Sequence, residues 1–275
     1  MSPQTAALLL ALGVLAGTYG TLVGAGGGFV IIPAFLLLYP DDSAATVTSI
    51  SLAVVLFNAS SGSAAYARLR RIDYRTGAAF ALATIPGAVA GALAVHVVPR
   101  RTFDALFGVV LISVSAYIAL RPALSEARRG WGPRPNTYRS LADVEGNRYS
   151  YAFNWQTGVI ISFFVGLVAS FLGLGGGIIH VPVMVAVLGF PAHIAVATSH
   201  FILVFTSLAA TLVHVATGSL AGDWPKVIPL AVGAVAGAQV GARLSQRLPE
   251  KAIVRLLALA LFTVGIRLLV AAAGV

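Results

Sequence analysis

Two decapeptides decide the fold: Gly24-Ala25-Gly26-Gly27-Gly28-Phe29-Val30-Ile31-Ile32-Pro33 and Gly173-Leu174-Gly175-Gly176-Gly177-Ile178-Ile179-His180-Val181-Pro182. They lie 149 residues apart, from Gly24 to Gly173. One inserted residue later the spacing becomes 150 and pairs Thr48-Ser49 with Thr198-Ser199, Asp73 with Asp223, Gly87 with Gly237, Gly91 with Gly241 and Pro99 with Pro249. Chance does not hold that register over so many turn and small residues, so the chain is two copies of one unit, an arrangement common among transporters.

Around the Gly runs lie apolar stretches at Thr5–Val23, Phe29–Tyr39, Ala44–Ala67, Thr76–Val98 and Phe103–Leu120, then Trp155–Leu172, Ile178–Phe190, Ile194–Thr217, Pro225–Ala242 and Ala252–Ala272. A bilayer needs about 20 helical residues at about 1.5 Å each, so the stretches that follow the Gly runs reach only halfway. Each is a half-helix, and its Gly run is expected at mid-depth. The first two elements of a copy then form either a re-entrant hairpin or two crossings, which have the same parity.

Of 275 residues, 58% are hydrophobic and 10% charged, against about 25% charged in soluble domains. Mean hydropathy is +0.91. With 29 Gly and 13 Pro, this is the balance of apolar helices packed on small residues and broken inside a bundle. It excludes an ordinary soluble enzyme. Zero Cys removes thiolate metal sites and cysteine nucleophiles. The expected fold class is all-α: a polytopic membrane protein of two inverted repeats, each with about five membrane helices, discontinuous or re-entrant at the Gly-rich breaks. Residues 1–121 form the first repeat, 122–154 a cytoplasmic linker and 155–275 the second repeat.

The formal charge is +9, from 18 Lys+Arg against 9 Asp+Glu. Five elements per copy place the second copy upside down, and the basic residues fit that. Arg68, Arg70, Arg71, Arg75, Arg121, the five linker arginines, Arg243, Arg247, Lys251 and Arg255 share one side, which makes 14 of the 18. Arg100, Arg101, Lys226 and Arg267 take the other. The positive-inside rule therefore places both termini outside and the linker in the cytoplasm, and it explains the charge without nucleic acid. The first twenty residues hold no Lys or Arg, so they read as a retained helix rather than a secretory signal. The linker, rich in Pro, Gly and Arg, reads as a solvated connector. Trp155 and Trp224, at the starts of apolar runs, read as headgroup anchors.

Chemistry centres on Gly24, Gly26, Gly27 and Gly28 and on Gly173, Gly175, Gly176 and Gly177. Each run opens a half-helix, so unpaired N–H groups and a positive dipole end point into the bundle, a geometry that binds anions. A purely structural reading, close helix packing, is weakened by the duplication. Neither run continues into Lys-Ser/Thr, so neither is a P-loop. Thr48, Ser49, Thr198 and Ser199 are candidate donors to the anion, though such hydroxyls equally bond back into their own helix. Asn58 and Gln239 are intramembrane amides that need partners, as site residues or as interhelical glue. His180 and His200 are candidates for proton coupling; their first-copy counterparts are Ile31 and Ile50, so the site is asymmetric. His193 and His214 read as surface or packing residues and His96 as a helix-end residue. Asp73, Asp223 and the Asp41-Asp42-Ser43 stretch read as helix N-caps. No zinc spacing occurs, no acidic residue lies deep in an apolar run, and no metal or cofactor is expected.

The two Gly motifs, Ala195-Val196-Ala197-Thr198-Ser199 and Gly237-Ala238-Gln239-Val240-Gly241-Ala242 together resemble the TauE/SafE sulfite exporter family, also called the toluenesulfonate uptake permeases, over nearly the whole chain apart from the linker. The resemblance implies a bacterial or archaeal cytoplasmic-membrane carrier for sulfite, sulfonates or related small anions. Val47 against Ala197, Asp41-Asp42 against Phe190-Pro191 and Val89 against Gln239 argue against a strictly two-fold ligand cage. The expected function is secondary transport of a small sulfur-containing anion by alternating access, not enzyme catalysis. The alternative is an anion channel, or a permease for another small anion such as a carboxylate. Expected partners are the anion, the lipid bilayer and H⁺ or Na⁺ as coupling ion; a homodimer is left open.

Overall fold

The computed structural model describes residues 2–119 and 134–247, with nine further residues between 255 and 270. Arg121, Arg128, Arg129, Pro249, Lys251, Arg267 and most of the last apolar run lie outside the described residues. The first half of the chain comprises α1 (Pro3–Val23), α2 (Gly28–Leu38), α3 (Ala44–Arg68), α4 (Tyr74–Ala94), a 3₁₀ turn (Val95–Val97) and α5 (Arg100–Ala119). A β-hairpin follows, β1 (Thr137–Ala142) and β2 (Arg148–Phe153), then α6 (Trp155–Phe171), α7 (Gly177–Ala186), α8 (Ala192–Ala216) and α9 (Trp224–Ser245). Among the described residues, α1, α3, α4 with its 3₁₀ turn, α8 and α9 are long and apolar enough to cross a membrane. The chain is an all-α polytopic membrane protein with little sheet. The half-length helices expected after the Gly runs are α2 and α7, of 11 and 10 residues.

Local chemistry sets the boundaries. Ser43 Oγ accepts from Thr46 N–H at 3.1 Å and Asp73 Oδ1 from Thr76 N–H at 3.1 Å, which caps α3 and α4. Asp223 stands at the cap position of α9 without a capping bond and turns instead to Lys226 Nζ, 2.8 Å away. The breaks before α2 and α7 rest on backbone that only glycine adopts easily: φ is +75° and +85° at Gly26 and Gly27, and +74° and +117° at Gly175 and Gly176.

Helices pack where small residues bring backbones together. A Cβ on Gly13 or Gly17 would strike the carbonyls of Leu230 or Ala234, and one on Gly237 or Gly241 those of Val14 or Thr18, so α1 and α9 run side by side in the same direction. Gly87 and Gly91 meet Phe163 and Leu167 in the same way, pairing α4 with α6. Asn58 to Ala234 and Tyr66 to Ser245 run α3 along α9. Asp73 to Thr198 and Thr84 to Thr206 run α4 along α8. Between α3 and α8 the order reverses: Gly62 meets His200, Val55 and Ala59 meet Leu203, and Leu52 meets Ala210. These two 25-residue helices are antiparallel and form the centre of the bundle.

The hairpin is where structure and sequence reading differ. No strand was expected in the linker, yet β1 and β2 pair antiparallel from Thr137–Phe153 to Ala142–Arg148. Thr, Tyr and Phe supply the strand-forming residues, and Gly146 at φ +84° closes the turn. The hairpin is not free-standing. The Tyr151 ring packs on Phe190 at 4.3 Å and Phe153 lies 5.1 Å from it. Arg71 reaches Asp143 at 2.9 Å with both side chains sealed from solvent, and Val144 N–H donates to Leu69 O at 3.3 Å. The hairpin thereby joins the α3–α4 loop of one copy to the α7–α8 loop of the other.

Candidate functional site

The two Gly runs cross at the middle of the bundle. Positions for a Cβ on Gly26 and on Gly175 both face Val55 of α3 and Leu203 of α8, each the twelfth residue of its helix. Gly28 lies against Gly173 O and Ser51 Oγ, and Gly177 against Gly24 O and Leu203. Each run also rests on the central helix of the other copy: Ser51 Oγ donates to Gly173 O at 2.7 Å and Ser199 Oγ to Gly24 O at 3.3 Å. Residues 24–29 and 172–178 are all buried.

Hydrogen-bond accounting identifies what the runs offer. Ala25 and Gly26 N–H donate to Gly20 O, and Gly24 N–H to Thr21 O. Leu174 N–H donates to Ala169 O, and Gly173 N–H to Ser170 O. Neither α2 nor α7 has a side-chain cap, and no acceptor among the described residues takes the N–H groups of Gly27, Gly28 and Phe29 or of Gly176, Gly177 and Ile178. Buried amides are nearly always paired, so two neighbouring sets of unpaired donors at helix N-termini present a positive field of the kind that can hold an anion.

The other candidates divide. Thr48 packs its Cγ2 on Gly173, but its hydroxyl bonds back to Ala44 O at 2.9 Å. Ser49 Oγ donates to Thr46 O and Ser219 O, at 2.7 and 3.2 Å. Thr198 Oγ1 accepts from Asp73 N–H at 3.0 Å, away from the runs. Asn58 is spent as interhelical glue: it donates to Gly17 O and Ala234 O and accepts from Thr21 Oγ1, each at 3.2 Å. Gln239 Nε2 donates to Ser61 O and Oγ at 2.9 Å. Of the side-chain candidates, Ser199 bonds a Gly run and Thr48 packs on one.

His180 is fully enclosed, its Nε2 3.1 Å from Ser162 Oγ and its ring stacked on Phe80. His200 Nε2 lies 3.2 Å from Thr21 Oγ1, with the Tyr66 ring at its edge. Ser51 is the residue that sequence reasoning missed. Its repeat counterpart is Phe201, so matching the copies does not reveal it, although it lies one helical turn from Thr48 on the face that meets Gly173.

At the hairpin end, Asp73 gathers Thr76 Oγ1, Tyr151 OH at 2.7 Å and Arg139 Nε at 3.5 Å. Burial, together with the Asp73 carboxylate, holds the Tyr151 phenol protonated well above its usual range. Burial opposes the ionisation of Asp143, but donors from Arg71 and Asn147 outweigh it and hold that carboxyl below its usual value.

Comparison with known proteins agrees with this architecture. The sequence profile described as "Sulfite exporter TauE/SafE" matches residues 9–268. The chain is 30% identical over 271 residues to "Probable membrane transporter protein YunE" of Bacillus subtilis, covering 95% of this chain and 96% of that one. A second probable membrane transporter protein, from Methanocaldococcus jannaschii, is 25% identical over 210 residues, covering 74% and 70% of the two chains. No solved structure matches. The chain belongs to the sulfite exporter TauE/SafE family of membrane transporters.

Proposed function

We propose that the protein is a secondary carrier that moves a small sulfur oxyanion or organosulfonate across the cytoplasmic membrane by alternating access. The observation that carries this reading is the crossing of two Gly runs at the midpoints of α3 and α8, each with a set of unpaired N–H donors. An oxyanion with three or more acceptor oxygens can take donors from both sides at once. Low dielectric strengthens each such bond, and the absence of Cβ atoms lets the anion reach the backbone.

Two inverted repeats, with both termini outside, form the frame of this carrier. The antiparallel run of α3 and α8, which are repeat equivalents, supports inversion. So does the exchange of partners between copies, α1 with α9 and α6 with α4. The hairpin then lies at the cytoplasmic mouth, and the loops around Asp42 and Ser219 at the outer one. Because the runs are buried and held by Ser51 and Ser199, anion entry requires the two copies to part at one mouth and then at the other.

Flux of labelled sulfite into proteoliposomes tests the reading. Saturable uptake with counterflow is expected. Single-channel currents without counterflow would replace the carrier with a channel, and no uptake above protein-free vesicles under any pH or Na⁺ gradient would sink both. A thermal-shift screen over sulfite, sulfate, thiosulfate, sulfonates and carboxylates then selects the anion.

A further inference from the structure

At the end of the bundle away from the hairpin, two histidines from different elements face each other. His96, in the 3₁₀ turn after α4, is exposed, while His214, in the last turn of α8, has no exposure. Their ring centroids are 5.4 Å apart, with planes tilted by 31°. Ala92 and Ala210 pack together with Leu52, and each histidine stands one turn beyond its alanine, so the pair forms the next layer toward solvent.

Neither ring nitrogen of His214 has a hydrogen-bond partner among the described residues. An unpaired buried polar group is destabilising, and a leucine would fill the same space without that penalty. His180 and His200, by contrast, each have a ring nitrogen on a hydroxyl. His96 connects the pair inward: its Nε2 lies 2.7 Å from Ser219 Oγ, and Ser219 O accepts from Ser49 Oγ at 3.2 Å. Ser49 adjoins Thr48, which packs on Gly173.

We propose that His96 and His214 form the proton-binding site that couples anion movement to a pH gradient; this rests on the carrier reading above. A proton from bulk water is bound by the exposed imidazole of His96, and its charge is felt by the His214 ring, 5.4 Å away between centroids. One N–H bond forms, and the first positive charge opposes binding of a second proton. A bound proton cancels the charge of a monovalent anion, so the loaded carrier crosses as a neutral unit.

Little else at this end competes for the proton. On α3 no titratable side chain precedes Tyr66, and on α4 none follows Arg75. Lys226 is paired with Asp42 and Asp223, and Arg100 with Asp104. Among the described residues no group of three His, Cys, Asp or Glu assembles, so the pair lacks the ligands of a metal centre.

The test uses the full chain in proteoliposomes with labelled methanesulfonate, whose charge does not change across the histidine range. With an inside-alkaline gradient of about one pH unit, one-to-one coupling gives about tenfold accumulation, the ratio that matches that gradient. His214→Gln is expected to reduce accumulation to about unity while exchange of internal for external label remains measurable, which separates lost coupling from lost folding. Tenfold accumulation by His214→Gln, or its loss in His180→Gln or His200→Gln but not in His214→Gln, overturns the proposal. If the wild-type chain neither takes up nor exchanges any anion, the carrier reading fails instead. Side-chain NMR of labelled histidines in detergent then still decides on the pair: the His214 titration is expected to move in His96→Gln, and an unchanged titration overturns the site.

Discussion

The two Gly runs carry nearly the same residues, yet the protein holds them differently. In the first copy Gly20 lies directly under Gly27, leaving no space for a Cβ. In the second the matched position is Ala169, whose Cβ stands 3.7 Å from where one on Gly176 would be. Thr21, one residue further on, is tied to Asn58 and His200, whereas its counterpart Ser170 has a buried hydroxyl with no partner among the described residues. If the proposed carrier takes its anion at the Gly runs, the first run is the fixed half and the second, with looser packing and an unspent polar group, is the half that adapts.

The largest expected effect comes from erasing that difference in packing. Gly20→Ala gives α1 the side chain that α6 already carries at Ala169, but there it collides with the backbone of Gly27. Backbone cannot retreat as a side chain does, so a loss at the upper end of overpacking costs, about 3 kcal/mol or more, is expected, read as collapse of folded yield in detergent. The reverse exchange, Ala169→Gly, removes one methyl from a helix and should cost only about 1 kcal/mol. Equal losses in thermal stability would show that the two runs are packed alike.

The next contrast is between the loops that follow α3 and α8. The first is bolted by the sealed ion pair of Arg71 with Asp143; among the described residues the second has a single ion pair, Asp223 with Lys226, and Lys226 is also held by Asp42 at 3.1 Å. Asp143→Ala strands a buried guanidinium and should cost about 3 kcal/mol, while Asp223→Ala should cost less than about 1 kcal/mol. The Asp143 carboxyl is held below its usual value, so its contribution is complete above the unfolded carboxylate range, about pH 4. It is lost as pH falls through the lower folded value. Hydrogen exchange of the hairpin amides should therefore accelerate in strong acid in the wild type, and Asp143→Asn should remove that dependence.

How much of this was legible in sequence follows from what each feature depends on. Helix ends, half-helices and breaks are local: Ser43 and Asp73 cap where expected, and glycines with positive φ stand where the apolar period stops. The repeat made the Gly runs visible as a pair. The hairpin was missed because only β2 carries an aromatic face, Tyr149, Tyr151 and Phe153, and Tyr151 and Phe153 find their cover on Phe190, in a loop distant in sequence. Residue type marked Thr48, Ser49 and Asn58 as donors, but only three-dimensional neighbours decide where a donor is spent. Ser51 escaped because the copies diverge there.

Asn58 probes how the first half is fixed. Asn58→Leu keeps the branched shape but removes the bonds to Gly17 O, Ala234 O and Thr21 Oγ1, leaving Thr21 with His200 alone, and the expected cost is about 1–3 kcal/mol. Its matched residue in the second copy is already Leu208, so Leu208→Asn should not restore stability to that mutant. A double-mutant cycle by thermal unfolding reads this; recovery would mean that the amide serves the bundle from either copy.

The smallest expected effect on stability falls on Ser170, which makes it the sharpest probe of the contrast. Its hydroxyl lacks a partner among the described residues, so Ser170→Ala removes a buried unsatisfied group and should leave thermal stability unchanged or raise it by up to about 1 kcal/mol. Thr21→Val breaks bonds to Asn58 and His200 and should lower it by about 1–2 kcal/mol. If the second run is the adaptable half, the two mutants separate in a second measurement as well: the stability gained by adding the anion should shrink in Ser170→Ala and persist in Thr21→Val. A bound anion stabilises the fold in proportion to its affinity for the native state, so the ligand-induced shift reads that affinity without a flux assay. Equal ligand-induced shifts in both mutants would mean that the free hydroxyl is a packing accident and that the two halves contribute alike.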